Sequence, residues 1–221
     1  MKFDVIYFFE QFPRLIVKVP YTFYLGTIAF VIALFFGILL AVAKNSRNLF
    51  LTGFTNLYVS YFRSTPYITQ LFILYFGLPQ IFDCMKAMTA ETALVLSISM
   101  NSAAFISEII RGGLLSVNKG QMEAAISVRL SKFQAYRTII SPQAFVVALP
   151  GLGNSFISML KSTAMGFTIG VVELLANAKI GSATSYCYLE SYMAVGFIYW
   201  GMMLIIERFQ KKLEKRVTRH L

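Results

Sequence analysis

The sequence is poor in the side chains that bind metals or act as nucleophiles in most enzymes. Its only histidine is His220, next to the last residue, and its cysteines are Cys84 and Cys187. The ends of a chain are rarely held in place, and the cysteines have neither CxxC spacing nor histidine neighbours. We therefore expect no metal site and no catalytic residue, and the sequence is not typical of an enzyme.

A phosphate-binding loop is absent as well. The pattern Gly-x-x-x-x-Gly-Lys-Ser/Thr, with which many ATPases hold the phosphates of ATP, does not occur in the sequence. We therefore expect no cofactor bound by this chain. If its activity depends on ATP, a partner chain must bind the nucleotide.

Charged residues are scarce, and their scarcity indicates a membrane protein. Only 14% of the residues are Asp, Glu, Lys or Arg, whereas 57% are hydrophobic. About 20 apolar residues in a helix cross the roughly 30 Å of hydrocarbon in a bilayer. The prediction is an all-α membrane protein with about five transmembrane helices in a single domain over residues 1–221. The expected spans are about residues 21–43, 54–78, 92–110, 145–175 and 188–206.

The formal net charge of +10 indicates how these spans are oriented. Lysine and arginine are retained on the cytoplasmic side of a membrane, and most of them here fall on one side of the predicted spans. That side holds Lys44, Arg47, Arg111, Lys119, Arg129, Lys132, Arg137, Arg208, Lys211, Lys212, Lys215, Arg216 and Arg219. The N-terminus is therefore expected outside and the C-terminus in the cytoplasm. The same charges can contact anionic lipids, and no nucleic-acid-binding motif accompanies them.

A polar, basic island, the 118–142 segment, separates the third and fourth predicted spans. Because a bilayer cannot accommodate such a segment, it must protrude into water. Ala124, Ala125 and Val128 form a small apolar face on the first of two expected helices, and charged residues surround this face. Such a helix fits a groove of a partner protein. The alternative is a helix that lies on the lipid surface.

Several motifs match those of one transporter family in order and spacing. The segment from Gly120 to Ala125, which ends in Glu-Ala-Ala, and Pro142 further on resemble the EAA loop of ABC-type importer permeases. The other motifs are Arg63-Ser64-Thr65-Pro66, Glu108-Ile109-Ile110-Arg111-Gly112-Gly113 and Leu160-Lys161-Ser162-Thr163. Over about residues 20–206, the chain resembles a permease of the polar-amino-acid ABC importer family.

The resemblance implies the type I permease fold of ABC importers, in a bacterial inner membrane. The implied partners are an ABC ATPase dimer, a second permease subunit of the same or a related kind, an extracytoplasmic solute-binding protein and membrane lipids. ATP and Mg would be bound by the ATPase. The residues implied in coupling to it are Gly120, Glu123, Ala124, Ala125, Arg129 and Pro142.

Arg129 departs from the family pattern, which has glycine at this position. Glycine allows a positive φ between two short helices, whereas Arg129 implies either a helix that continues or an altered turn. Ser141 likewise replaces a leucine before Pro142. Both departures concern the shape of the loop and not its existence.

Polar residues in the fourth predicted span are candidates for a substrate path. They are Asn154, Ser158, Lys161, Ser162 and Thr163. A lysine facing lipid at mid-span costs roughly 2.5 to 3.5 kcal/mol, so we expect these residues to face protein or water. Lys161 or nearby donors would attract the carboxylate of an amino acid. The alternative is that the polar groups only bond neighbouring helices, and that Lys161 reaches the surface or pairs with an acidic residue.

Two further polar sites are given architectural roles. Glu108 and Arg111 stand at the end of the third span, at a spacing that favours an ion pair. Pro66 either bends the second span and frees a backbone carbonyl, or begins a new helix, with Arg63 capping the loop and bonding headgroups or backbone. An ion-coupled secondary transporter or channel that uses Glu108 and Lys161 is an alternative function, and a membrane scaffold is another. The sequence leaves open which amino acid is carried and whether the permease pairs with itself.

Overall fold

The computed structural model describes residues 3–46 and 48–218, and these residues form helices and turns without any strand. This confirms the all-α prediction. The α-helices are α1 Val5–Ile16, α2 Val19–Lys44, α3 Leu49–Ser64, α4 Tyr67–Phe72, α5 Ala90–Ser116, α6 Lys119–Ser127, α7 Lys132–Ala135, α8 Ser141–Ser162, α9 Leu174–Ser185 and α10 Tyr188–Thr218. Short π-helical segments cover Ile73–Gly77 and Tyr136–Ile140, and 3-10 segments cover Leu78–Gln80, Asp83–Met85 and Thr163–Ile169. Arg47, Arg219 and His220 lie outside the described residues.

Four helical stretches of the described chain are long and apolar enough to cross a membrane. They are Val19–Lys44, Ala90–Ser116, Lys132–Ile169 and Tyr188–Thr218. Each overlaps one predicted span, namely the first, third, fourth and fifth. The shortest has 26 residues and is about 39 Å long, which exceeds the thickness of the hydrocarbon core.

The second predicted span, 54–78, is not one helix. Helix α3 ends at Ser64, because Pro66 has no N–H and the residue before a proline avoids the helical region. Thr65 is accordingly extended, with φ −106° and ψ 145°. The chain then continues through α4 and shorter helical turns to Gln80.

Two side-chain amides satisfy the backbone carbonyl that Pro66 leaves without a partner. In a continuous helix, the carbonyl of Phe62 would accept from the N–H of residue 66. Here it accepts from Gln70 Nε2 at 3.1 Å and from Asn101 Nδ2 at 3.0 Å. Asn101 Nδ2 also donates to Gln70 Oε1 at 2.9 Å. The break is therefore satisfied inside the bundle, and these bonds join α3 and α4 to α5.

The fourth predicted span, 145–175, also differs from a continuous helix. Helix α8 ends at Ser162, and a 3-10 segment follows to Ile169. Gly170 then reverses the chain with φ +91°, a conformation that glycine adopts without strain. The side chain of Glu173 caps the next helix, α9, by accepting from two N–H groups of its first turn. The end of the predicted span is therefore a turn and a new helix.

The interior of the bundle is built mainly by α2, α5 and α8. Small side chains line it, because Ala29 and Ala33 of α2 and Ala93 of α5 have no exposed surface. Small residues let helix backbones approach closely, which favours helix association in lipid. A second buried cluster around Leu15 and Leu174 joins α1 to α9 and α10. The N-terminal helix, which no predicted span covers, is therefore part of the fold.

Candidate functional site

A cavity of about 640 Å³, lined by polar and apolar residues, lies among α3, α5 and α8. One residue of α3 and residues from α5 and α8 form its walls. They are Arg63, Asn101, Ser102, Phe105, Glu108, Ile109, Gly151, Asn154, Ser155, Ser158, Met159 and Ser162. Sites for small molecules usually have volumes of about 300 to 1,000 Å³. The cavity is therefore large enough for an amino acid.

Helical spacing brings the polar side chains of the cavity together. Asn101, Phe105 and Glu108 recur at intervals of four and three residues on α5, so they share one face of the helix. The lining residues of α8 recur at similar intervals. A Cβ atom at Gly151 would stand 2.8 Å from Cγ2 of Ile109, so the glycine permits the close approach of α8 to α5. The two polar faces thus meet across a short distance.

Of the five residues predicted for a substrate path, three line the cavity and two do not. Those that line the cavity are Asn154, Ser158 and Ser162. Lys161 is exposed and does not line it. Thr163 has no exposed surface, and its hydroxyl donates to the carbonyl oxygen of Leu160 at 2.8 Å. Lys161 and Thr163 therefore do not belong to the cavity wall.

Glu108 supplies the carboxylate of the cavity wall, and two cations pair with it. Arg111 donates to Glu108 Oε2 from Nε at 2.9 Å and from Nη2 at 2.7 Å. Lys44, at the end of α2, donates to Oε1. The Glu108 side chain is only 16% exposed, so its charge is balanced within the bundle. The sequence spacing indicates Arg111 as a partner, whereas only folding brings Lys44 to the same carboxylate.

The predicted path does not include Arg63 or Asn101, although both line the cavity. A sequence signal exists for Asn101, because Asn101 and Glu108 are polar residues seven positions apart in a largely apolar span. A signal exists for Arg63 as well, because it is a charged residue inside the second predicted span. Only the break at Pro66 and the bonds around it bring the end of α3 against the middle of α5.

Helices α6 and α7 occupy the 118–142 segment between α5 and α8. Glu123 and Ala124 are exposed on α6, whereas Ala125 is 2% exposed. The prediction that Ala124, Ala125 and Val128 form one apolar face is therefore wrong, because Ala125 is buried within the fold. Gly120 and Pro142 are exposed near the two ends of the segment.

The turn between α6 and α7 is a Schellman motif with Arg129 in its left-handed position. Arg129 has φ +64°, and its N–H donates to the carbonyl of Ile126 at 2.9 Å. The N–H of Leu130 donates to the carbonyl of Ala125 at 3.1 Å, which completes the motif. Ser131 then begins α7 with a capping box. Of the two alternatives, a helix that continues is therefore wrong, because Arg129 takes the positive φ that a glycine at this position would allow.

Comparisons with known proteins show the family of this chain. Residues 33–219 match the family described as the binding-protein-dependent transport system inner membrane component. The chain is 40% identical over 216 residues to the probable amino-acid permease protein YxeN of Bacillus subtilis, covering 98% of this chain and 96% of that protein. It is 34% identical over 222 residues to the L-cystine transport system permease protein TcyL of Bacillus subtilis, covering 99% of this chain and 93% of that protein.

A solved structure has the same architecture over nearly the whole chain. The crystal structure of an amino acid ABC transporter with histidines superimposes with a TM-score of 0.90 and 34% sequence identity. The match covers 98% of this chain and 100% of that chain. Together with the motifs around Arg63, Glu108 and Glu123, these similarities show that the chain belongs to the binding-protein-dependent inner membrane transport family, as an amino-acid ABC transporter permease.

Proposed function

We propose that this permease subunit works in an ATP-driven importer of polar amino acids. An extracytoplasmic binding protein would deliver the amino acid, and a second permease subunit, of the same or a related kind, would complete the translocation path. An ATPase dimer in the cytoplasm would bind ATP and Mg. The observation that carries the proposal is the direct connection between the 118–142 segment and the walls of the cavity.

That connection is short on both sides of the segment. Only Val117 and Asn118 separate α5 from α6, and the π-helical turn Tyr136–Ile140 joins α7 to α8 without a loop. Helices α5 and α8 also form most of the cavity wall. A displacement of α6 and α7 by a partner would therefore pass to both walls at once. ATP-driven closure of the partner could in this way change access to the cavity.

The surface of the segment suits a protein partner. Its exposed apolar side chains are Ile126, Val128, Phe133 and Tyr136. Aromatic and aliphatic side chains enclosed by a charged rim are typical of the centre of a protein interface. Glu123, Arg129 and Lys132 are exposed beside them and supply such a rim. We assign the ATPase contact to this surface, with Glu123 and Ala124 within it.

The polar groups of the cavity suit an amino acid as cargo. Asn154, Ser158 and Ser162 offer hydrogen-bond donors and acceptors on the α8 side. Their cost in a membrane is offset if a polar substrate or water occupies the cavity. The proposed path therefore consists of these residues and their α5 neighbours. Lys161 is left out of it, because its side chain does not reach the cavity wall.

Replacing Ala124 by Trp tests the docking surface. A bulky ring on the exposed face of α6 should prevent close contact with a partner groove. We expect the ATPase to bind at least about tenfold more weakly, which is roughly 1.4 kcal/mol of lost contact, and amino-acid-stimulated ATP hydrolysis in proteoliposomes to fall with it. Glu123→Lys reverses a charge at the rim and should act in the same direction.

Ala183→Trp is the matched control. Ala183 is also an exposed alanine on a helix, but it lies on α9, which follows α8 at the far end from the 118–142 segment. This variant should bind the ATPase and stimulate ATP hydrolysis as the wild type does. Wild-type stimulation in Ala124→Trp and Glu123→Lys would contradict docking through α6.

A further inference from the structure

We propose that Arg63 binds the carboxylate of the transported amino acid, and that the cavity selects zwitterionic or acidic amino acids over cationic ones. The inference rests on the proposed function and adds to it a substrate class and the residue that recognises it. The inference is argued from the charges around the cavity, from the contacts of Arg63, and from the depth of Arg63 in the membrane.

The charge of Arg63 is not balanced by a side chain of the described chain. Among residues 3–46 and 48–218, no carboxylate oxygen lies within 4.0 Å of its guanidinium nitrogens. The carboxylate of the cavity wall, Glu108, is already paired with Lys44 and Arg111. Arg63 and Glu108 are the charged residues of the wall, and because Glu108 is already paired, the charge of Arg63 leaves a positive surplus there. A ligand carboxylate is the group that complements these surroundings.

Arg63 is exposed, and its side chain contacts one aromatic ring of the cavity wall. Its Cζ atom lies 5.6 Å from the centroid of the Phe105 ring, within the range of a cation–π interaction. The neighbouring carbonyl of Phe62 is fixed by the amides of Gln70 and Asn101. Asn101 and Phe105 also line the cavity, so the bonds that fix the backbone next to Arg63 and the ring beneath its guanidinium belong to the same wall. A cation fixed in advance binds its ligand with a smaller loss of entropy.

Arg63 also stands near the middle of the membrane. It meets α5 around Asn101 and Phe105, and α5 is a 27-residue candidate span. At 1.5 Å per residue, Asn101 lies about 17 Å from the beginning of α5 and about 23 Å from its end. Ionisable residues at such depth are rare and typically mark the path of a substrate. Arg63 thus lies at a depth that the cargo must cross.

These charges make the cavity selective for the charge of an amino acid's side chain. Every amino acid has the α-carboxylate that Arg63 would bind. A cationic side chain, as in arginine or lysine, would find Glu108 already paired and like charges close by, which is strongly unfavourable in a partly desolvated site. An uncharged polar side chain can instead form hydrogen bonds with Asn154 and Ser158. The cavity should therefore reject cationic amino acids.

The experiment uses the permease bound to its ATPase in lipid nanodiscs, without the binding protein. It measures equilibrium binding of labelled L-glutamine, L-glutamate, L-cystine and L-arginine. We expect at least one of the first three to bind, and arginine to bind at least about tenfold more weakly. Arg63→Gln should weaken binding about 10- to 100-fold, as expected when hydrogen bonds to a charged group are lost. Arg63→Lys keeps the charge and should lose less.

Lys179→Gln is the matched control for removal of a cation. Lys179 also lies over a phenylalanine ring, that of Phe167 at 4.2 Å from Nζ to the centroid, but it does not line the cavity. This variant should bind amino acids as the wild type does. Lys161→Gln tests the other candidate cation, and we expect it to change affinity less than Arg63→Gln.

The proposal is overturned if arginine binds best, if none of the four amino acids binds, or if an assembled Arg63→Gln complex keeps wild-type affinity. The selectivity of the wild type and the comparison with Arg63→Lys remain decisive if Arg63→Gln does not assemble. Failure of the wild-type chain to bind an ATPase would contradict the proposed function. A complex that assembles and hydrolyses ATP but fails the binding tests would contradict only the role of Arg63 and the substrate class.

Discussion

At Gly113, the absence of a side chain sets the distance between two helices. A Cβ atom at this position would stand 2.5 Å from the carbonyl oxygen of Ala144 on α8 and 3.2 Å from Cβ of Ala148. A backbone oxygen cannot turn aside as the end of a flexible side chain can, so α5 and α8 would have to separate. The adjacent Gly112 is exposed, and a Cβ there would have nothing within 4 Å.

Gly113→Ala should therefore destabilise the protein by about 1 to 3 kcal/mol, the usual cost of overpacking. Gly112→Ala is its matched control, and it should be neutral or stabilising by up to about 1 kcal/mol, because alanine favours a helix over glycine. Thermal unfolding of the detergent-purified variants measures the difference. Equal melting temperatures would show that the contact between α5 and α8 is looser than described.

Arg129 shows that a turn can persist when its usual residue is replaced. A non-glycine residue in the left-handed region costs roughly 1 to 2 kcal/mol. The hydrogen bonds of the Schellman motif and the capping box begun by Ser131 fix the chain on both sides of this residue. The conformation at position 129 is therefore imposed by its neighbours.

At the scale of the helices, the break between α3 and α4 is held by side-chain hydrogen bonds. Pro66 removes a donor from the Phe62 carbonyl, and Gln70 and Asn101 replace it. Gln70 is 5% exposed, so its amide has little access to water. The break, the cavity wall and the position of Arg63 are therefore one structural unit.

Gln70→Met should destabilise the protein by about 1 to 3 kcal/mol, because the Thr65 carbonyl loses its donor and the Phe62 carbonyl keeps only Asn101. In a Pro66→Ala background, residue 66 regains an N–H that can bond to the Phe62 carbonyl. We therefore expect Gln70→Met to cost less in that background. A double-mutant cycle on the free energy of unfolding measures this coupling. The same cost in both backgrounds would mean that the Gln70 amide does not substitute for the lost donor.

Glu173 connects three further elements through one carboxylate. It has no exposed surface, and its Oε2 accepts from the hydroxyl of Tyr199 at 2.9 Å and that of Thr22 at 3.3 Å. Its Oε1 accepts from the first N–H groups of α9, where the helix dipole favours a negative charge. The carboxylate thus holds α2, α9 and α10 together without a cationic partner in the described chain.

For the molecule as a whole, the distribution of positive charge predicts which end of the bundle faces the cytoplasm. Helix α5 runs from the loop that carries Cys84 to the 118–142 segment. The lysines and arginines of the sequence predict that the 118–142 segment and the C-terminal part of α10 are cytoplasmic. Cys84 and α1 would then lie on the outer side.

Cysteine labelling tests this orientation. Cys84 is exposed, so in Cys187→Ser protein an impermeant maleimide should label it in intact cells. When Cys84 and Cys187 are both replaced by serine and Lys212→Cys is added, labelling should occur only after the membrane is opened. The reverse pattern would overturn the orientation, and with it docking of a cytoplasmic ATPase on α6.

The sequence by itself determined the features that depend on local composition. Apolar runs of sufficient length predict membrane helices, because every backbone polar group must be satisfied within the helix in lipid. The motifs of the polar 118–142 segment indicated the transporter family, because each motif is a short stretch of consecutive residues. The break at Pro66 was also visible, because proline lacks the N–H that a helix needs.

Only the tertiary structure decided which polar residues share a site. It placed Ser158 in the cavity and Lys161 outside it, although they are three residues apart on one helix. It also brought Lys44 to Glu108, and Arg63 to the ring of Phe105, across large separations in sequence. The reason is that the face of a helix acquires its role from the helix packed against it. That packing depends on close contacts such as the one at Gly113, which hydropathy does not specify.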